Sequence, residues 1–325
     1  MTMSFPHDLY LFFDGHDWPK EPFSGLVFNE GGQERLSGAV GQGMQQLLSC
    51  LASEQVREKI EPVGEGMVTL DKSLTDGLEV FYRCTQLSQI TDGKALHFAL
   101  IENEWPSLTN QTAKVSFDRK LQAAIEKVRL PKTEGGLYLF IGEPGSGRTT
   151  AAAATYGHLC ESFEGVGWAV STSHEVVMKG QKGRSVAFQL ETSTDTNLAS
   201  SVRQASGLFP RTGRKFLYVS EIDSHAEFEA VMDAVFRGVI VVTTLRSTDI
   251  EFAIERLVKG IHLKGTQLAR TLKLICRSYK HPQTQRITYQ CLPMYRPETI
   301  AMVKNGTVNK HLKLELEQIE NDLKR

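Results

Sequence analysis

The chain has no C-x-x-C pair, no long apolar run and no basic tract, and each absence removes a class of function. Its five cysteines (Cys50, Cys84, Cys160, Cys276 and Cys291) are odd in number and widely spaced. That argues against a structural zinc site built on cysteines and fits reduced thiols in a cytoplasmic protein. No uninterrupted apolar stretch is long enough to span a bilayer, and the strand-like run Val239–Val242 is far too short. The opening residues MTMSFPHDLY lack the basic and long apolar regions of a secretory signal. A formal net charge of −1, with Lys and Arg scattered and no interleaved aromatics, gives no reason to expect direct contact with nucleic acid. His158, His174 and His225 match no metal-ligand spacing. Glu143–Gly147 is not a G-x-S-x-G nucleophile elbow, because Pro144 stands two residues before Ser146. No internal repeat or low-complexity tract is present. What remains, at 41% hydrophobic and 23% charged over 325 residues, is a soluble globular composition with length for two domains.

Against that background one segment stands out: Gly142-Glu143-Pro144-Gly145-Ser146-Gly147-Arg148-Thr149. It has the spacing of a phosphate-binding P-loop, G-x-x-x-x-G-K-[ST], with Arg in place of Lys. The apolar run Leu137–Ile141 predicts a strand feeding it. Thr149-Thr150 and the block Ala151–Ala154 predict a helix leaving it. The glycines let backbone N–H groups turn toward phosphates, and the helix N-terminus adds partial positive charge. The Thr149 hydroxyl is placed to help hold Mg²⁺. Arg148 would reach the β/γ phosphates of a nucleotide, as a planar fork rather than a compact ammonium.

The rest of the chain divides around this motif. Residues 1–115 read as a smaller α+β domain with a linker at its end. Expected there are a strand at Leu9–Phe13, a helix of about 34–58 with Met44, Leu47, Leu48 and Leu51 on one face, and strands at Met67–Leu70, Leu78–Thr85 and Ala95–Ile101. Glu102–Val115 is the expected linker. Residues 116–325 open with a helix at Phe117–Leu130. Strands then alternate with helices: Val166–Ser171, Arg184–Leu190, the helix Thr196–Leu208, Lys215–Ile222, a helix striped by Phe228, Val231, Met232, Val235 and Phe236, and Val239–Leu245. That pattern predicts an α/β sheet covered by helices. Gly238 sits at a helix C-terminus. Thr248 and Glu251 form a capping-box pattern for the helix running to Gly260. Leu312, Leu316, Ile319 and Leu323 mark a last amphipathic helix.

A P-loop NTPase also needs an acid at the end of a neighbouring apolar strand, to orient Mg²⁺ or water. Phe216-Leu217-Tyr218-Val219-Ser220-Glu221 supplies one. From here the chain resembles the secretion ATPase superfamily, and within it the type IV pilus retraction motors of PilT type. Those motors carry G-E-[MI]-R-D, a helix, T-G-H-L-V and T-L-H-T. This sequence has Ser220-Glu221-Ile222-Asp223-Ser224, a helix, Arg237-Gly238-Val239-Ile240-Val241 and Thr244-Leu245-Arg246-Ser247, at matching spacing. Pro6-His7-Asp8-Leu9-Tyr10-Leu11 resembles the A-S-D-L-H-L opening, and Phe81-Tyr82-Arg83-Cys84-Thr85 the R-F-R-V-N strand. The chain departs from the pattern where the chemistry lies. Arg148 replaces the lysine, Val239 and Arg246 replace both histidines, and Asp223 stands where the pattern has arginine. Ala99 replaces a second arginine. The I-E-D-P-I-E box falls on Val170–Glu175 and keeps only Glu175.

The resemblance implies a RecA-like P-loop NTPase domain preceded by a smaller α+β, PAS-like domain. It implies a cytoplasmic, hexameric ATP-binding motor of a type IV pilus or related secretion or conjugation machine, held to an inner-membrane platform through partners. The absence of a tetracysteine insertion places it with the retraction motors. ATP and Mg²⁺ are the implied cofactors, on Gly142, Glu143, Pro144, Gly145, Ser146, Gly147, Arg148, Thr149 and Thr150, with Thr149 and Glu221 toward the metal. Glu175 is a candidate for polarising water, and Arg83 and Arg246 for replacing the missing arginines and histidines. The departures leave a second expectation open: a catalytically impaired scaffold or regulator that acts with an active paralogous motor.

Overall fold

Leu9 and Leu11 are buried, Tyr10 between them is half-buried and Phe12 just beyond is exposed, the alternation of a strand with one face on a core. The computed structural model describes residues 8–13, 18–19, 24–29, 32–36, 42–60, 65–70, 80–90, 93–101, 105–108, 117–128, 135–172, 176–192, 197–260, 264–284 and 286–324. The chain forms two compact units, one of residues 1–104 with 173–177 and one of 105–172 with 178–325.

The first unit contains β1 (Asp8–Phe13), β2 (Ser24–Asn29), β3 (Gly32–Leu36), α1 (Gln42–Leu51), α2 (Glu54–Ile60), β4 (Glu65–Thr69), β5 (Phe81–Ile90) and β6 (Gly93–Ile101). The strands form one sheet in the order β3-β2-β1-β6-β5-β4, each neighbour antiparallel. Leu47, Leu48 and Leu51 of α1 and Val56 and Ile60 of α2 join Leu9, Leu11, Val27, Tyr82 and Phe98 in its core. The single helix expected at 34–58 is therefore three elements. Residues 34–36 pair with β2, and the helix restarts after Ala52, where the Ser53 carbonyl accepts from both Val56 and Arg57 N–H. The apolar stripe was real, but it belongs to α1 alone.

The second unit contains α3 (Arg119–Lys127), β7 (Gly136–Gly142), α4 (Arg148–Ser162), β8 (Gly165–Ser171), β9 (Gly180–Lys182), β10 (Ser185–Glu191), α5 (Leu198–Gly207), β11 (Arg214–Glu221), α6 (His225–Phe236), β12 (Ile240–Arg246), α7 (Ile250–Gly260), α8 (Gly265–Thr271), β13 (Leu272–Lys280), β14 (Ile287–Pro293), α9 (Pro297–Asn305) and α10 (Val308–Lys324). Its sheet runs β14-β13-β7-β12-β11-β8-β10-β9. The pairs from β13 across to β10 are parallel, and only the edge strands β14 and β9 are antiparallel. β7 is buried along its whole length, as a parallel strand covered on both faces must be. Burying each of its large apolar side chains stabilises the fold by roughly 1.5–3 kcal/mol.

Helix α4 lies close against this sheet because Ala151, Ala152, Ala153 and Ala154 present almost no volume, and all four are fully buried. Trp105 packs against α4, stacking on Tyr156 at 5.4 Å and donating its indole N–H to the Ala153 carbonyl at 3.1 Å. Leu108 is buried as well. This part of the expected linker at Glu102–Val115 is thus packed structure; the remainder lies outside the described residues. Helix α6 begins with a full capping box between Ser224 and Glu227. Gly238 follows it at φ 84°, as a helix-ending glycine does. The cap of α7 falls one residue later than expected: the Asp249 carboxylate, not the Thr248 hydroxyl, accepts from Phe252 N–H at 2.7 Å.

Candidate nucleotide-binding site

Two glycines fix the shape of the loop between β7 and α4. Gly142 has φ 148°, and a Cβ there would strike the Ser278 carbonyl and come within 2.6 Å of Ser146 Oγ. Gly147 has φ 83°, and a Cβ there would come within 2.8 Å of Ile287 Cδ1. The loop is thus backed by the β13–β14 hairpin and has no room for side chains at these points. Gly147 is also the N-cap of α4 and offers no side chain to its first turn. The helix N-terminus is left to backbone N–H groups, the arrangement that suits an anion. Glu143, Pro144 and Gly145 form the exposed crest, Thr149 and Thr150 are half-buried, and Ser146 and Arg148 are buried.

The acid expected at the end of β11 meets this loop across β12. Arg148 Nη2 donates to Glu221 Oε2 at 2.7 Å, and Arg246 Nη2 lies 3.0 Å from Oε1. The pairing of strands sets this up: Arg246 is opposite Gly142 in the β12–β7 register, and Glu221 is opposite Thr244 after an irregularity in β11. Arg148 is 8% exposed, Glu221 31% and Arg246 64%, so the three run from the buried base of the loop out to its rim.

Arg256 of α7 was not anticipated. Its Nη1 donates to the Arg246 carbonyl at 2.8 Å and its Nη2 to Asp223 at 3.1 Å, tying together the turns that follow β12 and β11. No spacing rule marks it, because its partners come from two other elements. Ser278 and Ile287 went unmarked for the same reason. Of the other expected residues, Arg83 lies on β5 in the first unit. Glu175 lies outside the described residues.

Two buried polar atoms at the loop, Ser146 Oγ and Arg148 Nη1, have no hydrogen-bond partner among the described residues. Buried donors of this kind are costly unless something accepts from them. With the glycine cradle and the uncapped helix start, they fit the oxygens of a polyphosphate. Among the described residues no cluster of three His, Cys, Asp or Glu side chains could hold a metal alone. A divalent cation here would need oxygens from the nucleotide, with Thr149 and Glu221 the nearest protein candidates.

The sheet order and the glycine loop at the carboxyl end of β7 belong to an α/β fold shared with solved structures of PilT and DotB. Three solved structures show the particular likenesses. The pilus retraction motor PilT with bound ADP matches at TM-score 0.68 and 19% identity, over 95% of this chain and 85% of that one. The ATPase DotB of Legionella pneumophila matches at TM-score 0.65 and 17% identity, over 95% of this chain and 84% of that one. The DotB of Yersinia pseudotuberculosis matches at 0.62 and 13%, over 98% and 82%. At these identities what is shared is the fold. No family model matches the chain, and no curated protein does.

Proposed function

We propose that the chain is an ATP-binding motor subunit of a type IV pilus or a related type IV secretion or conjugation machine. Mg-ATP binds on Gly142–Thr150. The observation that carries this reading is the pair of buried donors, Ser146 Oγ and Arg148 Nη1, unpartnered among the described residues, inside a glycine loop at a helix N-terminus. The nucleotide supplies the phosphoryl group and carries Mg²⁺ with it. Arg148 holds the β/γ oxygens, the Thr149 hydroxyl faces the metal, and Glu221 orients water or the metal shell. Arg246 at the rim stands in for a lost histidine, and Glu175 is a second acid toward the attacking water. The first unit is read as the PAS-like domain. In a hexameric ring it turns its Arg83 toward the nucleotide of the adjacent subunit. The ring works on the cytoplasmic side against an inner-membrane platform, with no direct contact to nucleic acid. In keeping with that placement, no helix among the described residues is long and apolar enough to cross a membrane.

One observation favours a second reading, an impaired ATPase that acts as scaffold or regulator of an active paralogue. Both oxygens of Glu221 are committed to arginines, which leaves the acid poorly placed to draw a proton from water. Calorimetry with Mg-ATP tests what the two readings share. Wild type binds, and Thr149→Ala binds at least tenfold more weakly; equal binding by both removes the site assignment. Phosphate release by the wild type then separates motor from scaffold.

A further inference from the structure

Cys276 of β13 and Cys291 of β14 face each other across the sheet edge, with their sulfurs 3.4 Å apart. The kind of cross-strand pair they form follows from Pro293. Proline has no N–H, so Leu274 and Pro293, directly opposite, cannot exchange hydrogen bonds. Consistently, Met294 N–H donates to the Lys273 carbonyl at 2.9 Å, one step along, and His281 N–H donates to the Arg286 carbonyl at 2.9 Å beyond the other end. Antiparallel pairs alternate between hydrogen-bonded and non-hydrogen-bonded. Counting two residues from Leu274 and Pro293 makes Cys276–Cys291 a non-hydrogen-bonded pair. Cα atoms in such pairs are about 4.5 Å apart, within the about 4.4–6.8 Å that a disulfide spans. Both residues are buried, at 0% and 5% exposure.

We propose that Cys276 and Cys291 are a redox pair that closes to a reversible disulfide under a small two-electron oxidant such as a peroxide, and that the bond stiffens the backing of the glycine loop. One thiolate attacks the peroxide O–O bond and becomes a sulfenic acid as water leaves. The second sulfur then displaces the sulfenic oxygen as a second water. Two thiols and one peroxide give one disulfide and two waters, and the two electrons pass to the peroxide. A dithiol reductant reverses the step by exchange. Burial holds the Cys276 thiol well above its ordinary pKa, so thiolate is scarce and the reaction is slow at neutral pH. Access comes from local opening of β14, an edge strand of its sheet.

The coupling to the loop is a matter of contacts. Ser278, two residues beyond Cys276, places its carbonyl against Gly142. Ile287, four residues before Cys291, places its side chain against Gly147. A covalent tie between the strands restrains both contacts together.

The test uses the full chain treated with hydrogen peroxide, followed by alkylation of free thiols in denaturant and peptide mass mapping. The expected product is one linked peptide pair holding Cys276 and Cys291, lighter by two hydrogens and reversed by dithiothreitol. The oxidised protein melts several degrees higher, and amide exchange across 142–149 slows. Cys291→Ala shows neither change on oxidation. Should that variant not fold, the wild-type peptide map decides alone. Full alkylation of both cysteines after oxidation overturns the proposal, as does linkage to other cysteines or between chains. A disulfide that leaves exchange at 142–149 unaltered overturns the coupling to the loop.

Discussion

Where a lysine would offer one point charge, Arg148 offers a fork, and the structure divides it. Nη2 is held by Glu221, while Nη1 is buried without a hydrogen-bond partner among the described residues. An incoming phosphate can take the free arm, but gripping with both arms means displacing a carboxylate already in place. Under the proposed nucleotide binding, Glu221 is in this sense a competitor for the incoming phosphate. Replacing it with glutamine removes that competition at near-constant shape. Glu221→Gln should bind ADP without Mg²⁺ about fivefold more tightly than wild type, about 1 kcal/mol for one charge-assisted bond at a partly exposed site. Calorimetry in a chelating buffer reads this directly, and unchanged or weaker ADP binding would show that the contact is not in competition. At this scale the sequence displayed the loop and the acid plainly, because glycine spacing and a strand-ending Glu are local patterns. It could not display the double arginine grip on Glu221. That grip depends on a strand register bringing Arg246 opposite Gly142.

Helix α10 illustrates what patterning shows and what it hides. Its stripe of Leu312, Leu316, Ile319 and Leu323 was legible, and Leu316 and Ile319 are buried in the core. What ties the helix down was not. Arg296, just before α9, donates to Asp322 at 2.7 Å and to Gln318 at 2.8 Å, and its Nε lies 2.9 Å from buried Glu315. The hydrogen bond from Arg296 holds the Asp322 carboxyl below its ordinary range. A lowered folded pKa means stability that is complete at neutral pH and fades as pH falls through the aspartate range. Asp322→Asn should therefore lower the melting temperature modestly at pH 7, and the gap to wild type should close in acid. A gap constant with pH in melting curves would contradict this. The hairpin of β13 and β14, with α8 and α9, escaped the sequence for a related reason. Leu272–Lys280 mixes Lys273, Arg277 and Ser278 into its apolar residues: Lys273 and Arg277 are half-buried, Ser278 is buried, and the strand is exposed at its end, at Tyr279 and Lys280. A strand that begins buried and ends exposed shows neither a clean run nor a clean alternation.

For the whole molecule, the alternation of strand and helix after residue 137 made the α/β class readable, and the first sheet was readable only in part. Two of its strands, β2 and β3, occupy a stretch whose Gly and Glu content masked them. The proposed ring makes the sharpest claim at this scale. With ATP and at high concentration, light scattering should give a mass six times that of the chain, and a monomer under every condition would count against the ring.

The placement of Trp105 gives the protein an optical reporter of its own. The chain has three tryptophans: Trp18 in the core of the first unit, Trp105 stacked on α4, and Trp168 on β8, stacked with Phe188. Only Trp105 bonds to the helix that begins at the glycine loop. A protein retaining Trp105 alone, with phenylalanine at the other two positions, turns any shift of α4 into a change in emission wavelength, so ligand traffic at the loop can be followed without a label.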